Sequence, residues 1–166
     1  MNFVKDYDSN INYIKLQLLL LYYPEYDKLI KDDYLLLLSQ LTKTDYLDTE
    51  VFKEILSDIF KMGIIYVGII GWPDSEDFEI VATGTLIIEP KLFRSGKNVG
   101  HIEDIIVTKH MRGMGISQQI LNNLKNEARE NNCYKVILDC IDSVRPVYHK
   151  NGFNQMGSQM AIYFDK

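Results

Sequence analysis

One segment restricts the possible folds more than any other, because it contains a strand, a glycine-bearing turn, a helix and a second strand in succession. Between residues 100 and 140 the chain reads HIEDIIV, then RGMGIS, then the amphipathic SQQILNNLKNEAREN, then the apolar KVILDC. When two strands of one sheet are joined through a helix, they lie parallel and the crossover is right-handed. The segment therefore predicts a parallel strand pair whose connecting turn runs directly into a helix N-terminus.

The sequence before this unit predicts helices and then antiparallel strands. GIIYVGII and EIVATGTLIIE are rich in β-branched residues and flank the polar turn GWPDSED, which indicates a hairpin. Upstream, DDYLLLLSQL and EVFKEILSDIF predict two helices, capped by Asp32 or Asp33 and by Asp48 or Thr49 respectively. The apolar run from Ile14 to Tyr23 fits a strand or a helix, and residues 1 to about 12 are expected to be irregular.

The sequence after the unit predicts one more helix and further strands. SVRPVYHKNGF indicates a short helix that Gly152 ends, and MGSQMAIYF indicates one or two final strands. KVILDC is almost wholly apolar, as expected of a strand buried on both faces. Together the elements predict one domain over residues 1–166, of a mixed α+β or α/β class. Its central sheet would be mixed but mostly antiparallel, with helices flanking it.

Composition excludes several classes of function. The chain has 166 residues and a formal net charge of -5, so extensive nucleic-acid binding is not expected. The run LQLLLLYY is too short to span a bilayer and has no basic leader, which predicts no membrane association and a cytoplasmic protein. Cys133 and Cys140 have no ligand-spaced partners, so we expect free thiols and no metal.

The turn RGMGIS has the features of an anion site. The first amides of a helix have no internal partner, and the helix dipole adds partial positive charge. Gly113 and Gly115 have no Cβ, so an anion can approach the backbone closely, and Arg112 adds a charge. An ordinary strand-to-helix turn is the alternative. The turn has neither the Gly-Lys-Ser/Thr of a Walker loop nor a third glycine in a dinucleotide-binding pattern.

RGMGIS resembles the Arg/Gln-x-x-Gly-x-Gly/Ala motif of the GCN5-related N-acetyltransferases (GNAT), which cradles the pyrophosphate of coenzyme A. The segments LSQLTKTD, ATGTLIIEPKL, GHIEDIIV, CYKVILDC and VYHKNGF resemble the eukaryotic glucosamine 6-phosphate N-acetyltransferases, between about Leu35 and Phe164. The resemblance implies the GNAT acyl-CoA N-acyltransferase fold and acetyl transfer from acetyl-CoA to the amine of D-glucosamine 6-phosphate. It also implies a role in UDP-N-acetylglucosamine formation, no metal, and a homodimer whose last strand completes a shared active site.

The resemblance assigns catalytic and cofactor-binding residues. An amine must lose a proton before it attacks a thioester, and a nearby carboxylate can accept that proton. Glu103 is the candidate base, and Tyr148, placed near the sulfur, is the candidate acid. Strand-end salt bridges and a core tyrosine are the alternatives. The pantetheine arm would pair with one strand and the diphosphate with the turn, which gives the cofactor set Ile105, Ile106, Val107, Arg112, Gly113, Met114, Gly115, Ile116, Ser117 and Gln118.

The sugar phosphate requires carboxylates for its amine and cations for its phosphate. Strict strand alternation predicts that Glu103 and Asp104 point to opposite faces. The loop KLFRSGK supplies cations, although a solvated loop is the alternative, and Tyr163 stands where the family commonly has a phosphate-binding arginine. The implied substrate set is Thr42, Lys91, Leu92, Phe93, Arg94, Glu103, Asp104, Ile105, Lys135 and Asp139.

Two other functions remain open at this point. A GNAT acetyltransferase for another primary amine, on a protein or a polyamine, would have the same fold, although the basic loop argues against polyamines. A catalytically silent CoA-binding or dimerisation module is the alternative from another class.

Overall fold

The computed structural model describes residues 10–164 of the chain. The irregular segment expected at residues 1 to 12 lies largely outside the described residues. The ten helices and strands are β1 (Asn12–Lys15), α1 (Leu16–Tyr22), α2 (Asp27–Leu38), α3 (Thr49–Met62), β2 (Gly63–Ile70), β3 (Glu79–Pro90), β4 (Asn98–Val107), α4 (Ile116–Glu130), β5 (Cys133–Ile137) and α5 (Arg145–Lys150). Short 3₁₀ turns join several of them, among them Arg94–Gly96 and Lys109–Met111.

The strands form one five-stranded sheet in the order β1-β2-β3-β4-β5. The first three pairings are antiparallel and β4 pairs with β5 in parallel, which confirms the strand–helix–strand unit and the mostly antiparallel sheet. One face of the sheet packs against α1, α2 and α3, and the other packs against α4, so each face buries its own apolar cluster. The predicted fold class is confirmed.

The N-terminal part differs in two ways from the sequence-based expectation. The ambiguous run from Ile14 to Tyr23 contains both structures, because β1 ends at Lys15 and α1 begins at Leu16. Helix α2 begins at Asp27, so the proposed caps Asp32 and Asp33 lie inside it, and that prediction is wrong. Asp33 instead accepts a hydrogen bond from the Ile80 amide at the start of β3. Asp48 caps α3 as predicted, since its Oδ1 accepts from the Glu50 amide at 2.9 Å.

The C-terminal part corrects two further predictions. Within the described residues, the segment 154–164 contains no strand, although one or two were expected there. Strand β5 was expected to be buried on both faces, yet it lies at the edge of the sheet, and its Ile137 side chain is 39% exposed. Both errors have one physical cause. Apolar composition alone does not provide a neighbouring strand, and among residues 10–164 no strand pairs with the outer edge of β5.

None of the helices within residues 10–164 has the length and apolar character needed to cross a bilayer.

Candidate active site

A cleft opens in the sheet where β4 and β5 separate. The two strands pair from Asn98 with Cys133 to His101 with Ile137, and beyond that point β4 continues to Val107 with a partner on the β3 side only. Parallel strands that diverge leave the backbone groups of the longer strand facing an open space. The expected pantetheine-binding residues Ile105, Ile106 and Val107 lie on this part of β4.

A β-bulge lies at the two carboxylates on β4. Thr85 pairs with Glu103 and Thr83 pairs with Ile106, so one β3 residue faces two on β4. Asp104 is the extra residue and has a positive φ of 53°, which aspartate tolerates better than most residues. As a result Ile102 packs on the α4 side and Ile106 on the α2 side, although simple alternation would put both on one face.

The bulge overturns the prediction that Glu103 and Asp104 point to opposite faces. Ile102 and Ile105 both pack on the α4 side, so the two residues between them do not alternate across the sheet, and the charge of Asp104 acts on Glu103. Alternation holds only where each residue of a strand faces one residue of its neighbour, and the extra residue breaks that condition. The two carboxylates can therefore act in a single site.

Burial and two neighbouring acids raise the pKa of Glu103. Partial burial raises the pKa of Glu103, and the charges of Asp104 and then Asp139 raise it further, while His101 opposes them. Burial also raises the pKa of Asp104. Asp139 lies two residues beyond the end of β5, near enough for its charge to act on Glu103. A carboxylate with a raised pKa is a better proton acceptor once it is ionised.

The turn after β4 carries unpaired amides into α4. Gly113 and Gly115 have positive φ values of 84° and 79°, and a Cβ placed on either would meet no atom within 4 Å. Within residues 10–164, the amides from Arg112 to Ser117 donate to no protein acceptor, whereas the Gln118 amide donates to the Gly115 carbonyl at 3.0 Å. Six consecutive N–H groups thus remain available to an anion. They fit the diphosphate of coenzyme A, and Gln118 can contribute only its side chain.

The Arg112 side chain holds the turn against the strand. Its Nε donates to the Val107 carbonyl at 3.0 Å, across the end of β4. This bond uses one of the five donors of the guanidinium and leaves its terminal nitrogens exposed to solvent. Arg112 can therefore orient the turn and still present positive charge to a bound diphosphate.

Tyr148 lies on α5 in a groove beside β5. Its ring meets Phe153 edge-on at 6.0 Å, and its hydroxyl has no protein partner within the described residues. Burial raises the pKa of Tyr148, and nearby Cys140 raises it further, so the hydroxyl keeps its proton at neutral pH. The groove has a volume of about 750 Å³, and Asp139 and Cys140 line it together with Tyr148. The hydroxyl is available as a proton donor next to an expected substrate residue.

A group of cations surrounds Tyr134 on β5. Arg94 Cζ lies 5.0 Å from the centre of the Tyr134 ring and Lys135 Nζ lies 5.7 Å from it, while Phe93 packs edge-on at 6.5 Å. Neither Arg94 nor Lys135 has an acidic partner among the residues that the structure describes. Two unpaired cations that share one ring repel each other unless an anion lies between them. This arrangement indicates a site for an anionic group.

The other expected substrate residues are less involved. Lys91 is paired with Glu89, whose second oxygen lies 2.8 Å from His101 Nε2, so the charge of Lys91 is already compensated. The Leu92 side chain is fully exposed, at 106%. Thr42 lies in the exposed turn after α2, where its amide donates to the Leu38 carbonyl at 3.2 Å.

Sequence reasoning missed two residues that organise this region. Tyr134 stands in the quoted segment CYKVILDC, but only the fold brings it beneath Arg94, which is 40 positions away. Gln40 joins the end of α2 to residues 108 and 109 after β4. No local pattern marks a contact of such sequence separation, so neither residue had a signal in the sequence.

The fold and this site define a class of protein that sequence comparison identifies independently. Residues 36–153 match the sequence profile of the acetyltransferase (GNAT) family. That span contains α3, strands β2 to β5, the turn with unpaired amides, and Tyr148. The chain belongs to this family.

The more specific family follows from individual relatives. The chain is 39% identical over 132 residues to the probable glucosamine 6-phosphate N-acetyltransferase 2 of Oryza sativa subsp. japonica, covering 79% of this chain and 80% of that protein. It is 35% identical over 129 residues to the glucosamine 6-phosphate N-acetyltransferase of Arabidopsis thaliana, covering 78% and 86%. A crystal structure of the Arabidopsis thaliana enzyme superposes with a TM-score of 0.80 at 30% identity, over 95% of this chain and 100% of that chain. Within GNAT, this chain is a member of the glucosamine 6-phosphate N-acetyltransferase family.

Proposed function

We propose that this enzyme transfers the acetyl group of acetyl-CoA to the amine of D-glucosamine 6-phosphate, which gives N-acetyl-D-glucosamine 6-phosphate and CoA. The observation that carries the proposal is a combination within one site. Carboxylates for an amine (Glu103, Asp104 and Asp139) lie along the same cleft as unpaired amides, and unpaired cations for a phosphate (Arg94 and Lys135) surround Tyr134 on the adjoining strand. The product is the form in which an amino sugar enters UDP-N-acetylglucosamine formation, and we assign the enzyme to that route.

The cofactor-binding residues are the open part of β4 and the turn after it. Ile105, Ile106 and Val107 present backbone groups to the cleft, and the amides from Arg112 to Ser117 hold the diphosphate, with the exposed Met114 and the side chain of Gln118 beside them. Acetyl-CoA supplies an activated acyl group as its thioester. The residues fit it because glycine backbone and a helix N-terminus meet where a strand edge ends.

The carboxylates prepare the amine. Asp104 and Asp139 raise the pKa of Glu103, and together the three acids attract the ammonium form of the amino sugar. Glu103 accepts the proton, directly or through a water, which leaves the nitrogen lone pair free to attack the acyl carbon. No covalent bond to the enzyme is required.

Tyr148 provides the proton for the departing thiolate. Its hydroxyl has no protein acceptor within the described residues, and its pKa is raised, so it enters the reaction protonated. A phenol, with a pKa of about 10, is a weaker acid than a thiol, with a pKa of about 8.5, so this proton transfer alone is uphill. It is balanced because the nitrogen that has attacked becomes an acidic ammonium and releases a proton that restores the phenol.

The phosphate is placed against Arg94 and Lys135. Arg94 offers a planar fork of donors, and stacking on Tyr134 limits the orientations of that fork. Because Lys91 is already paired with Glu89, Arg94 and Lys135 carry most of the phosphate charge. Phe93 and Leu92 border this group, and Thr42 closes the opposite side of the pocket.

We also propose that the enzyme is a homodimer with a shared active site. Residues 154–164 form no helix or strand, and their large apolar side chains are each at least 77% exposed: Met156, Met160, Ile162, Tyr163 and Phe164. Strand β5 has a free edge beside the groove that contains Tyr148. A second copy of the chain covers both surfaces if its C-terminal segment pairs with this edge.

The test is an assay of CoA thiol release with matched acceptors. We expect turnover with glucosamine 6-phosphate, a KM for unphosphorylated glucosamine that is higher by about tenfold or more, and no turnover with a lysine peptide or a polyamine. Arg94→Ala should raise the KM for the sugar phosphate while the KM for acetyl-CoA changes little. Lys97→Ala is the control, because that lysine lies in the same loop and has no contact with Tyr134 within the described residues. Turnover of the peptide alone would refute the proposed substrate.

A further inference from the structure

Gln40 connects two parts of the site that are distant in sequence. It lies one residue beyond the C-cap of α2, two residues before Thr42. Its Oε1 accepts a hydrogen bond from the Lys109 amide at 3.0 Å, and its Nε2 donates to Thr108 Oγ1 at 3.2 Å. One side chain thus binds both residues that follow β4, three residues before the unpaired amides begin.

The chemistry of the contact requires an amide side chain. The Lys109 amide can only donate, which fixes the oxygen of Gln40 on that side and leaves its nitrogen facing Thr108. The Thr108 oxygen accepts this bond, and His110 Nδ1 lies 3.3 Å from the same oxygen. A side chain of the same length without both a donor and an acceptor cannot make the pair of bonds.

The start of the turn has few other attachments. The Thr108 amide donates to the Val81 carbonyl at 2.8 Å, His110 Nε2 lies 3.5 Å from Glu79 Oε1 on β3, and Met111 is fully buried. Among the residues that the structure describes, the only side-chain hydrogen bond made by residues 112–117 is the one from Arg112 Nε to the Val107 carbonyl. Gln40 is therefore the contact by which a helix on the opposite side of the sheet from α4 fixes where the turn begins.

We infer that Gln40 is a positioning residue for the diphosphate turn, and that it links cofactor binding to the turn after α2 that contains Thr42. The inference rests on the proposed cofactor role of residues 112–117. Anchored at Lys109, the unpaired amides converge on one anion. Without this anchor, residues 112–117 sample positions in which fewer of their amides reach the diphosphate. Binding of the diphosphate then no longer affects the turn at residues 39–44.

Calorimetric titration with CoA and with pantetheine, which lacks the diphosphate, tests the inference without any acetyl acceptor. Gln40→Met keeps the length of the side chain and removes both hydrogen bonds. We expect its Kd for CoA to rise about five- to tenfold and its Kd for pantetheine to stay unchanged. Thr108→Val removes one bond and should produce a smaller rise, and the double variant should resemble Gln40→Met. Ser39→Ala is the control, since the Ser39 hydroxyl bonds only the Leu36 carbonyl of its own helix.

Hydrogen exchange provides a second measurement, the protection of amides by CoA, and a loss of stability alone would not produce the expected pattern. In the unsubstituted protein, saturating CoA should protect amides in residues 39–44 as well as in the turn, and in Gln40→Met the protection at 39–44 should disappear while that in the turn persists. A Kd for CoA within twofold of the original, an equal loss for pantetheine, or the same loss in Ser39→Ala would overturn the inference. If Gln40→Met does not fold, Thr108→Val decides by the same criteria. An unsubstituted protein that binds no CoA would overturn the proposed function itself, which is a distinguishable result.

Discussion

At the scale of single residues, the proposed role of Glu103 as a base depends on neighbouring groups that raise its pKa. Burial raises the pKa of Glu103, and the charges of Asp104 and Asp139 raise it further. The bulge at Asp104 brings Glu103 and Asp104 into the same site. An isolated carboxylate on a regular strand would have an ordinary pKa and would be a weaker base at neutral pH.

Glu103→Gln should remove the base and leave most of the binding intact. We expect kcat to fall by about 10²- to 10⁴-fold, the usual contribution of a positioned general base. The Kd for CoA, measured by calorimetry, should be unchanged because Glu103 does not contact the turn. A loss of CoA binding in parallel with kcat would show that the substitution disturbs the cleft as a whole.

Asp104→Asn should move the acidic limb of the pH profile of kcat/KM to lower pH. Glu103 acts when ionised, so activity rises as pH increases through its pKa, and the charge of Asp104 keeps that pKa raised. Removing the charge lowers the pKa of Glu103, and ionisation then occurs at lower pH. Asp58→Asn, an exposed acid paired with Lys61 on α3, is the matched control. If the acidic limb did not move, it would report the ionisation of the substrate amine and not that of Glu103.

At the scale of elements, the turn between β4 and α4 derives its binding capacity from what it leaves unbonded. Gly113 and Gly115 give the chain a left-handed path, and the consecutive amides point away from the protein. The helix α4 adds its dipole at the same point. These features belong to the connection and not to any single side chain.

Gly115→Ala should weaken CoA binding specifically. An alanine held at the positive φ of this position costs about 1 kcal/mol relative to glycine. Its Cβ also occupies the space through which the diphosphate approaches. Gly152→Ala has the same positive φ and the same open surroundings at the end of α5, so it should lower Tm by a similar amount. We expect the Kd for CoA to rise in Gly115→Ala well beyond the rise in Gly152→Ala, and that for pantetheine to differ little between them. If both variants lost the same CoA affinity, the loss would come from backbone strain and not from a blocked diphosphate site.

At the scale of the whole molecule, the large apolar side chains of the C-terminal segment are exposed, and the outer edge of β5 pairs with no strand among residues 10–164. Gln159 attaches that segment to the site by a hydrogen bond to Asp139 at 3.2 Å. Exposed apolar surface and unpaired strand edges of this kind are typical of interfaces. The groove beside β5 contains Tyr148 and Asp139, so whatever covers it also borders the site.

A double substitution, Met160→Glu with Ile162→Glu, should convert the dimer to a monomer. Charged side chains at the centre of an apolar interface cost far more than they do in water. Light scattering would give the mass of a single 19.3 kDa chain, and acetylation of the sugar phosphate should fall with it. A monomeric unsubstituted protein with full activity would contradict the shared site.

The amino-acid sequence by itself determined the elements from α3 to α5, the parallel pair, and the turn with its glycines. Their signals are local, since hydrophobic period, β-branched content and glycine position act within a few residues. The tertiary structure alone decided three things: the bulge that puts Glu103 and Asp104 in one site, the stacking of Arg94 on Tyr134, and the hydrogen bond from the Lys109 amide to Gln40. Each depends on which strand or helix packs next to the residue concerned. Contacts between residues far apart in sequence do not alter the local hydrophobic pattern, so the sequence does not predict them.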